Sequence, residues 1–372
     1  MHAQITVLEP SSYLQRRAFF HLPWRIYRGN PAWVPPLLVQ VKESLDTRKN
    51  PFYHHAQLKL FLALKDGRPA GRVAAIVNGP HNEFHNEKVG FFGFFECIDD
   101  HAVAAALLGR AKEWLASQGM TVFRGPANPS TNHDCGLLVD AFELPAHVMM
   151  PYNPPYYATL LEGYGLCKAR DLYAYRITTG QLGPEFFRLA DRIAKRAGVQ
   201  VRPLDMKHFD DEARLIQQVY NDAWERNWGF VPVDDAEFGY LAKQMKQVLE
   251  PSMAVIGFID GKPAGFSLTL PNINEILITM NGRLLPFGIF KLMMGARKIK
   301  SCRNLLMGIV PECRKLGLDI VLYKHTFEAG IKLGYTWGEL SWILEDNAEM
   351  RRVLEKIGAR VYKTYRFYEM AM

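Results

Sequence analysis

Paired cysteines are missing from this chain. Its five cysteines (Cys97, Cys135, Cys167, Cys302 and Cys313) are odd in number and scattered through 372 residues, with no C-x-x-C pair. That spacing argues against a zinc site or a disulfide framework and for a reducing compartment. A basic-then-apolar leader is missing from Met1-His2-Ala3-Gln4, and no apolar run approaches the roughly 20 residues of a spanning helix. Low-complexity tracts are absent as well, in a composition 48% hydrophobic and 22% charged, so disorder is not the expected state. These absences predict a cytoplasmic chain, with contact at the inner face of the membrane left open.

What is present is length and positive charge. A chain of 372 residues is long for one core and suits two domains of about 180 residues each. The net charge of +7 favours an anionic partner: a nucleotide, an anionic lipid surface, an acidic carrier protein or RNA.

The sequence also repeats itself. Asp66-Gly67-Arg68-Pro69-Ala70-Gly71 recurs as Asp260-Gly261-Lys262-Pro263-Ala264-Gly265, each copy between apolar runs. Strand, Asp-Gly, strand is a hairpin with a stated turn chemistry. Asn30-Pro31-Ala32-Trp33-Val34-Pro35 faces Asn227-Trp228-Gly229-Phe230-Val231-Pro232, and Leu161-Glu162-Gly163-Tyr164-Gly165 faces Leu354-Glu355-Lys356-Ile357-Gly358. Three matches in order predict two copies of one unit. The boundaries fall at 1–177 and 199–372, with 178–198 connecting them. Each copy reads as strand, two helices, hairpin, strand, helix, strand, helix, strand.

That order, βααββ–β–loop–α–β–α–β, resembles the GNAT (N-acetyltransferase superfamily) fold. The run Arg314-Lys315-Leu316-Gly317-Leu318-Asp319 is similar to the family's Q/R-x-x-G-x-G/A loop. Asn347, Glu355, Lys356 and Gly358 are similar to the family's later N-x-x-A-x-x-L-Y-E-K-x-G-F pattern. The resemblance implies an α/β fold of two tandem GNAT-like domains, each a twisted mixed sheet flanked by helices. It implies no resident cofactor and an acyl-CoA or acyl carrier protein (acyl-ACP) co-substrate held in the second half. Ile309, Arg314, Lys315, Gly317, Leu318 and Asn347 are the residues expected to hold it. The loop's backbone N–H groups would face a pyrophosphate, reinforced by the helix dipole. The tandem arrangement is similar to that of N-myristoyltransferases and Fem-type aminoacyl transferases. Two departures stand out. Asp319 occupies a Gly/Ala position and is expected as a helix N-cap. The family's general-acid Tyr is replaced by Leu354 here and by Leu161 in the first half. The first half's own junction, 96–101, is acidic and has no glycine loop, so it should not bind CoA in the family manner.

Acyl transfer to an amine needs a base, an oxyanion site and a proton for the leaving thiolate. Glu96 ends the apolar strand 90–96, where desolvation would raise its pKa toward that of a useful base; otherwise it is a solvated strand end. His81 and His85, at i and i+4 in the loop 78–88, are second candidates against a plain solvated loop. Asn132 sits in the polar run 124–134, which suits an acceptor hydroxyl, an oxyanion or an ordinary capped loop. Tyr152, with Tyr156 and Tyr157, could replace the missing acid or simply pack.

The stretch from Ile276 to Pro311 has no acidic residue and carries Arg283, Lys291, Arg297, Lys298, Lys300 and Arg303 among leucines, phenylalanines and methionines. It reads as an interfacial helix on anionic lipid, or equally as a helix packed on its own domain. Arg16, Arg17, Arg25 and Arg28 with Phe19, Phe20 and Trp24 suggest a second patch. The architecture is also similar to that of bacterial ceramide synthases, which implies N-acylation of an amine-bearing lipid such as a sphingoid base. A Fem-like aminoacyl-tRNA-dependent transferase and a non-catalytic acyl-CoA-binding protein are the alternatives. Nucleic acid is the less expected partner, for want of a basic RNA face.

Overall fold

A computed structural model describes residues 4–224 and 227–372. The chain divides into two compact units: Met1–Leu172 with Leu277–Ile289 and Lys363–Met372, and Tyr173–Ile276 with Phe290–Tyr362.

The first unit begins with β1 (Ile5–Leu8), α1 (Tyr13–Ile26) and α2 (Leu38–Ser44). Ser12 and Gln15 form a capping box that starts α1. The hairpin β2 (Ala56–Lys65) and β3 (Arg68–Asn78) follows, then α3 (Gly79–His85) and β4 (Val89–Cys97). Next come α4 (His101–Ser117) and β5 (Val122–Gly125). The long polar loop carries three two-residue strands, β6 (Ala127–Asn128), β7 (Asp134–Cys135) and β8 (Leu137–Leu138). The last elements here are α5 (Tyr156–Gly163) and β9 (Cys167–Thr178), which runs across the unit boundary. The strand order is β1-β2-β3-β4-β5, antiparallel except for the parallel pair β4–β5.

The second unit repeats the plan. A helix, α6 (Pro184–Ala197), occupies the segment expected only to connect, and β10 (Val199–Pro203) follows. The sequence pattern predicts a helix near 210–226, and α7 runs Phe209–Trp224; positions 225 and 226 lie outside the described residues. Then come α8 (Asp235–Lys246) and the hairpin β11 (Ala254–Ile259) and β12 (Lys262–Pro271). The basic insertion holds α9 (Asn274–Leu277) and α10 (Gly288–Gly295). The unit closes with β13 (Ser301–Ile309), α11 (Leu318–Lys332), β14 (Trp337–Leu344), α12 (Ala348–Lys356) and the start of β15 (Arg360–Ala371). Its order is β10-β11-β12-β13-β14, with β13–β14 parallel.

The repeated hexapeptide explains itself in both places. Asp66 and Gly67 take φ of 49° and 73°, Asp260 and Gly261 50° and 75°, the left-handed pair a tight two-residue hairpin needs. Both hairpins also slip register at the same point, Ala63–Gly71 giving way to Leu64–Pro69 and Gly257–Gly265 to Phe258–Pro263. The closing glycine admits the crossover helix. A Cβ on Gly71 would lie 2.4 Å from Leu107 Cδ1, and one on Gly265 3.0 Å from Leu318 Cδ2. Beneath α4 lies a core of Phe61, Val73, Phe92, Leu107, Phe123 and Leu161, all 0–1% exposed. Each such side chain contributes about 1.5–3 kcal/mol by leaving water. Leu318 and Leu322 of α11 pack on Val255 and Ala264 in the same manner.

Candidate functional site

In the second unit, β13 and β14 pair only over Ser301–Asn304 and Trp337–Leu340. Both strands run on, to Ile309 and Leu344, without pairing further to each other. The separated stretches are apolar yet partly exposed at Leu305, Leu306, Met307, Trp342, Ile343 and Leu344. Parted parallel strands with such walls form a slot for an apolar or extended ligand. In the first unit the corresponding gap is filled. β4–β5 pairing ends at Phe91–Arg124, and the chain beyond Gly125 stays against β4. A Cβ on Gly93 would lie 1.8 Å from Ala127 O, and Asn128 Oδ1 accepts the Phe94 N–H.

The predicted donor loop stands at the end of β13. Arg314, Lys315 and Leu316 are exposed, and Lys315 and Gly317 take φ of 69° and 82°. The N-terminal N–H groups of α11 follow directly, the end of a helix that attracts anions. Asp319 is not the N-cap its position suggested. Two left-handed residues bring the chain into the helix earlier, so Gly317 is the N-cap, with no capping side chain. Burial raises the Asp319 carboxyl, while the N–H groups of Ile320 and of Asp319 itself pull it down. Arg314 is turned aside: it donates to Ala223 O at 2.7 Å and to Ile309 O at 3.4 Å, closing the end of α7. Lys315 therefore carries the free charge of the loop. Leu318 is a fully buried core residue, and Asn347 caps α12, accepting the Met350 N–H at 3.1 Å.

Glu96, at the end of β4, belongs to a buried polar group in the first unit. Tyr157 donates to its carboxylate at 2.7 Å and itself accepts the Cys97 N–H at 2.9 Å. Arg72 of β3 lies 3.7 Å away, 6% exposed, and donates to Phe19 O at 2.9 Å. The Tyr27 hydroxyl lies between Tyr152 O, at 3.1 Å, and the Glu96 carboxylate, and its one proton serves either. Burial raises the Glu96 carboxyl above its ordinary value; Arg72 and the two phenols only partly offset this. Both phenols are held protonated, chiefly by burial and then by the Glu96 charge.

The other expected residues are dispersed. The Tyr152 hydroxyl donates to Phe142 O at 2.7 Å and accepts from Asn30 at 2.9 Å, so of the three tyrosines 152, 156 and 157 it is Tyr157 that bonds Glu96. His81 and His85 pack ring to ring at 4.6 Å, with His81 also against Phe91, five residues and roughly 16 Å of strand from Glu96. Burial, with His85 second, lowers His81 to about 4. Among the described residues, no group of three or more His, Cys, Asp or Glu could hold a metal ion. The Asn132 N–H donates to Ser130 Oγ at 3.2 Å, and the same Oγ lies 2.8 Å from His133 Nδ1. Burial lowers His133 to about 4, which leaves it neutral. The acidic junction of the first unit is a helix cap: Asp100 accepts the Ala102 and Val103 N–H groups of α4. Arg72, Tyr27 and His133 were not singled out from sequence, and Tyr157 was offered there only alongside Tyr152 and Tyr156. Arg72 alone left a signal, a lone cation beside the apolar run that starts at Val73.

Known proteins match this chain along its whole length. A bacterial ceramide synthase of Caulobacter vibrioides is 37% identical over 382 residues, covering 100% of this chain and 98% of that one. The chain belongs to the bacterial ceramide synthase family. It is an N-acyltransferase. Protein YghO of Escherichia coli is 35% identical over 95% of this chain and 92% of its own. No family model matches. Among solved structures, a tandem GNAT protein from the clavulanic acid biosynthesis pathway covers 100% of this chain and 98% of its own, at TM-score 0.59 and 13% identity. A GCN5-related N-acetyltransferase from Sphaerobacter thermophilus covers 99% and 95%, at TM-score 0.54 and 11% identity. These two likenesses establish the tandem GNAT fold of this ceramide synthase relative.

Proposed function

We propose that this protein moves a long acyl group from a thioester, acyl-CoA or acyl carrier protein, to the amine of a lipid, with a sphingoid base as the best match. The observation that carries the reading is the parted β13–β14 pair beside an exposed cationic loop in the second unit. The name of the Caulobacter relative supports the choice of acceptor. The second sequence copy, 199–372, takes the donor, with phosphate at the N–H groups and Lys315 of the loop and the arm in the slot. The first sequence copy, 1–177, supplies acceptor chemistry. There we assign Glu96 as the base that takes the proton of the acceptor amine, a proton that ends on the released thiol. Tyr157, held by the Cys97 N–H, fixes the carboxylate that does so.

Access to a lipid acceptor is the role we assign to the insertion. Leu285, Phe287, Phe290, Met293 and Met294 are 62–72% exposed, and Arg283, Lys291, Arg297, Lys298 and Lys300 are exposed among them. Apolar side chains in water beside cations suit an anionic membrane surface. No helix among the described residues is long and apolar enough to cross a membrane. Two expected members do not join this surface. Arg303 is 0% exposed, 3.6 Å from Glu339, and donates to Ser341 Oγ at 2.9 Å. Phe19 is likewise buried at 0%. The test incubates the purified protein with long-chain acyl-CoA and a sphingoid base, followed by mass spectrometry. Amide and free thiol in equal amounts are expected; no amide from any acyl thioester with any amino lipid overturns the reading.

A further inference from the structure

The segment Leu277–Ile289 belongs to the first unit, where it is pinned to α1 and to the start of α2. The Trp24 indole donates to Asn281 O at 3.3 Å, and the Leu38 N–H donates to Gly282 O at 3.2 Å. Gly282 has no room for a side chain: a Cβ there would lie 2.5 Å from Trp24 and 2.7 Å from Pro36 O. These anchors set the place of the next residue, Arg283.

That place is already cationic. Arg17 and His21 are four apart on α1 and share a face, and the His21 ring lies 5.6 Å from that of Trp24. Lys42 of α2 also comes to α1, its Nζ 6.0 Å from the Phe20 ring. Arg17, His21, Lys42 and Arg283 are all exposed. Neither α1 nor 277–289 contains an acidic residue, and α2 has only Glu43. Arg16 and Arg25 turn elsewhere, to Pro10 O at 3.3 Å and Pro69 O at 2.8 Å. Partial burial lowers the His21 imidazole, and Arg17, Lys42 and Arg283 lower it further, with no carboxylate among the described residues offsetting them. Like charges gathered from three segments repel, and an anion among them removes the repulsion.

We propose that Arg17, His21, Lys42 and Arg283 bind the phosphate of an anionic membrane lipid. Apolar side chains stand in water on two of the three segments. Leu285 and Phe287 follow Arg283 by two and four residues, and Tyr13 and Leu14 come one turn before Arg17; all four are 70–78% exposed. A free phosphate uses none of them. A lipid with its phosphate at the cations sets its glycerol and acyl region against them. The site rests on the membrane role proposed above and deepens it, sharing Arg283, Leu285 and Phe287 with that surface but none of Lys291, Arg297, Lys298 and Lys300.

Calorimetry on the full chain with dihexanoyl phosphatidylglycerol, kept below its micelle threshold, and with inorganic phosphate tests this. The parent should bind the lipid one to one. Saturation should raise the His21 titration followed by NMR, because an anion among these groups favours the imidazolium. Arg17→Gln combined with Arg283→Gln should weaken the lipid roughly 25-fold, about fivefold for each cation, with the thermal midpoint unchanged. Leu285→Ser combined with Phe287→Ser should weaken the lipid and leave inorganic phosphate as it was. Equal affinity for phosphate and lipid overturns the lipid assignment, and lipid binding that survives the double Gln variant overturns the site. The protein with Gln at 291, 297, 298 and 300 should bind the short-chain lipid as the parent does; a loss there places binding on those cations, so this site falls while the membrane role stands. If the parent binds neither the lipid nor anionic vesicles, both fall.

Discussion

Glu96→Gln separates a catalytic carboxylate from a structural one, because Glu96 is also half of a buried pair. Arg72 is 6% exposed with Glu96 3.7 Å away. Removing one partner of such a pair costs about 3–5 kcal/mol, since the other charge is left buried and uncompensated. Arg72 keeps its bond to Phe19 O and a place 5.0 Å from the Phe19 ring, which puts the cost near the low end, about 3 kcal/mol. A lost general base costs roughly 10²–10⁴ in kcat. The single variant therefore loses both stability and turnover, and alone decides nothing. Pairing it with Arg72→Met removes the stranded charge, and the double variant should regain most of the stability in urea unfolding. Its kcat should remain 10²–10⁴ below the parent. If turnover returns together with stability, Glu96 serves the fold and the base lies elsewhere. The pH profile adds an independent sign. Folding holds the Glu96 proton more tightly, so kcat/KM should rise with pH through a value above the ordinary carboxylate range. Stability from this group should fall over that same window, a loss absent from the Gln variants.

Lys315→Glu should weaken CoA binding more than tenfold by calorimetry, whereas Arg314→Ala should mainly loosen the end of α7 and lower thermal stability; equal affinity after the Lys315 reversal removes the loop from the donor site. Replacing Lys291, Arg297, Lys298 and Lys300 with Gln should release the protein from anionic vesicles, each cation contributing about 1 kcal/mol near such a surface, and activity on a membrane-embedded amine should fall while a short soluble amine is still acylated. A parent protein that ignores anionic vesicles at low salt refutes the membrane role. His81 and His133 should titrate near 4 by NMR. Because the unfolded imidazoles bind protons first, stability should drop as pH falls from about 6.5 toward 4, and titration of both at 6.5 would show that they are solvated.

What the sequence made readable was local. The Asp-Gly turns specify their own dihedrals, and the hexapeptide glycines open room for a helix that always follows. The apolar run 90–96 marked β4, Val89–Cys97, to within one residue at either end. The unreadable parts depend on neighbours far along the chain. Arg303 looks like one more surface cation until Glu339, thirty-six residues later, is laid beside it by a parallel pairing. Tyr157 and Glu96 meet across sixty-one residues, and nothing near either marks the other. Asp319 was misplaced by two positions because a left-handed Lys315 has no sequence signature of the kind glycine provides. The filled gap of the first unit was hidden for the same reason: Asn128 looks like any loop asparagine, yet its side chain reaches the Phe94 N–H.

The assignment of Lys363–Met372 to the first unit has a consequence for how the chain comes into being. Tyr368–Ala371 pairs with Val122–Gly125, and Arg366 grips Asp171 at 2.7 Å. During synthesis, β5 is made well before the strand that covers its edge. Until residues near position 370 leave the ribosome, the first unit presents β5 as an unpaired strand edge, an invitation to mispairing. The early half can collapse, but it cannot be completed early. Chaperones should therefore hold it longest, and damage near position 370 should surface as misfolding some 250 residues upstream.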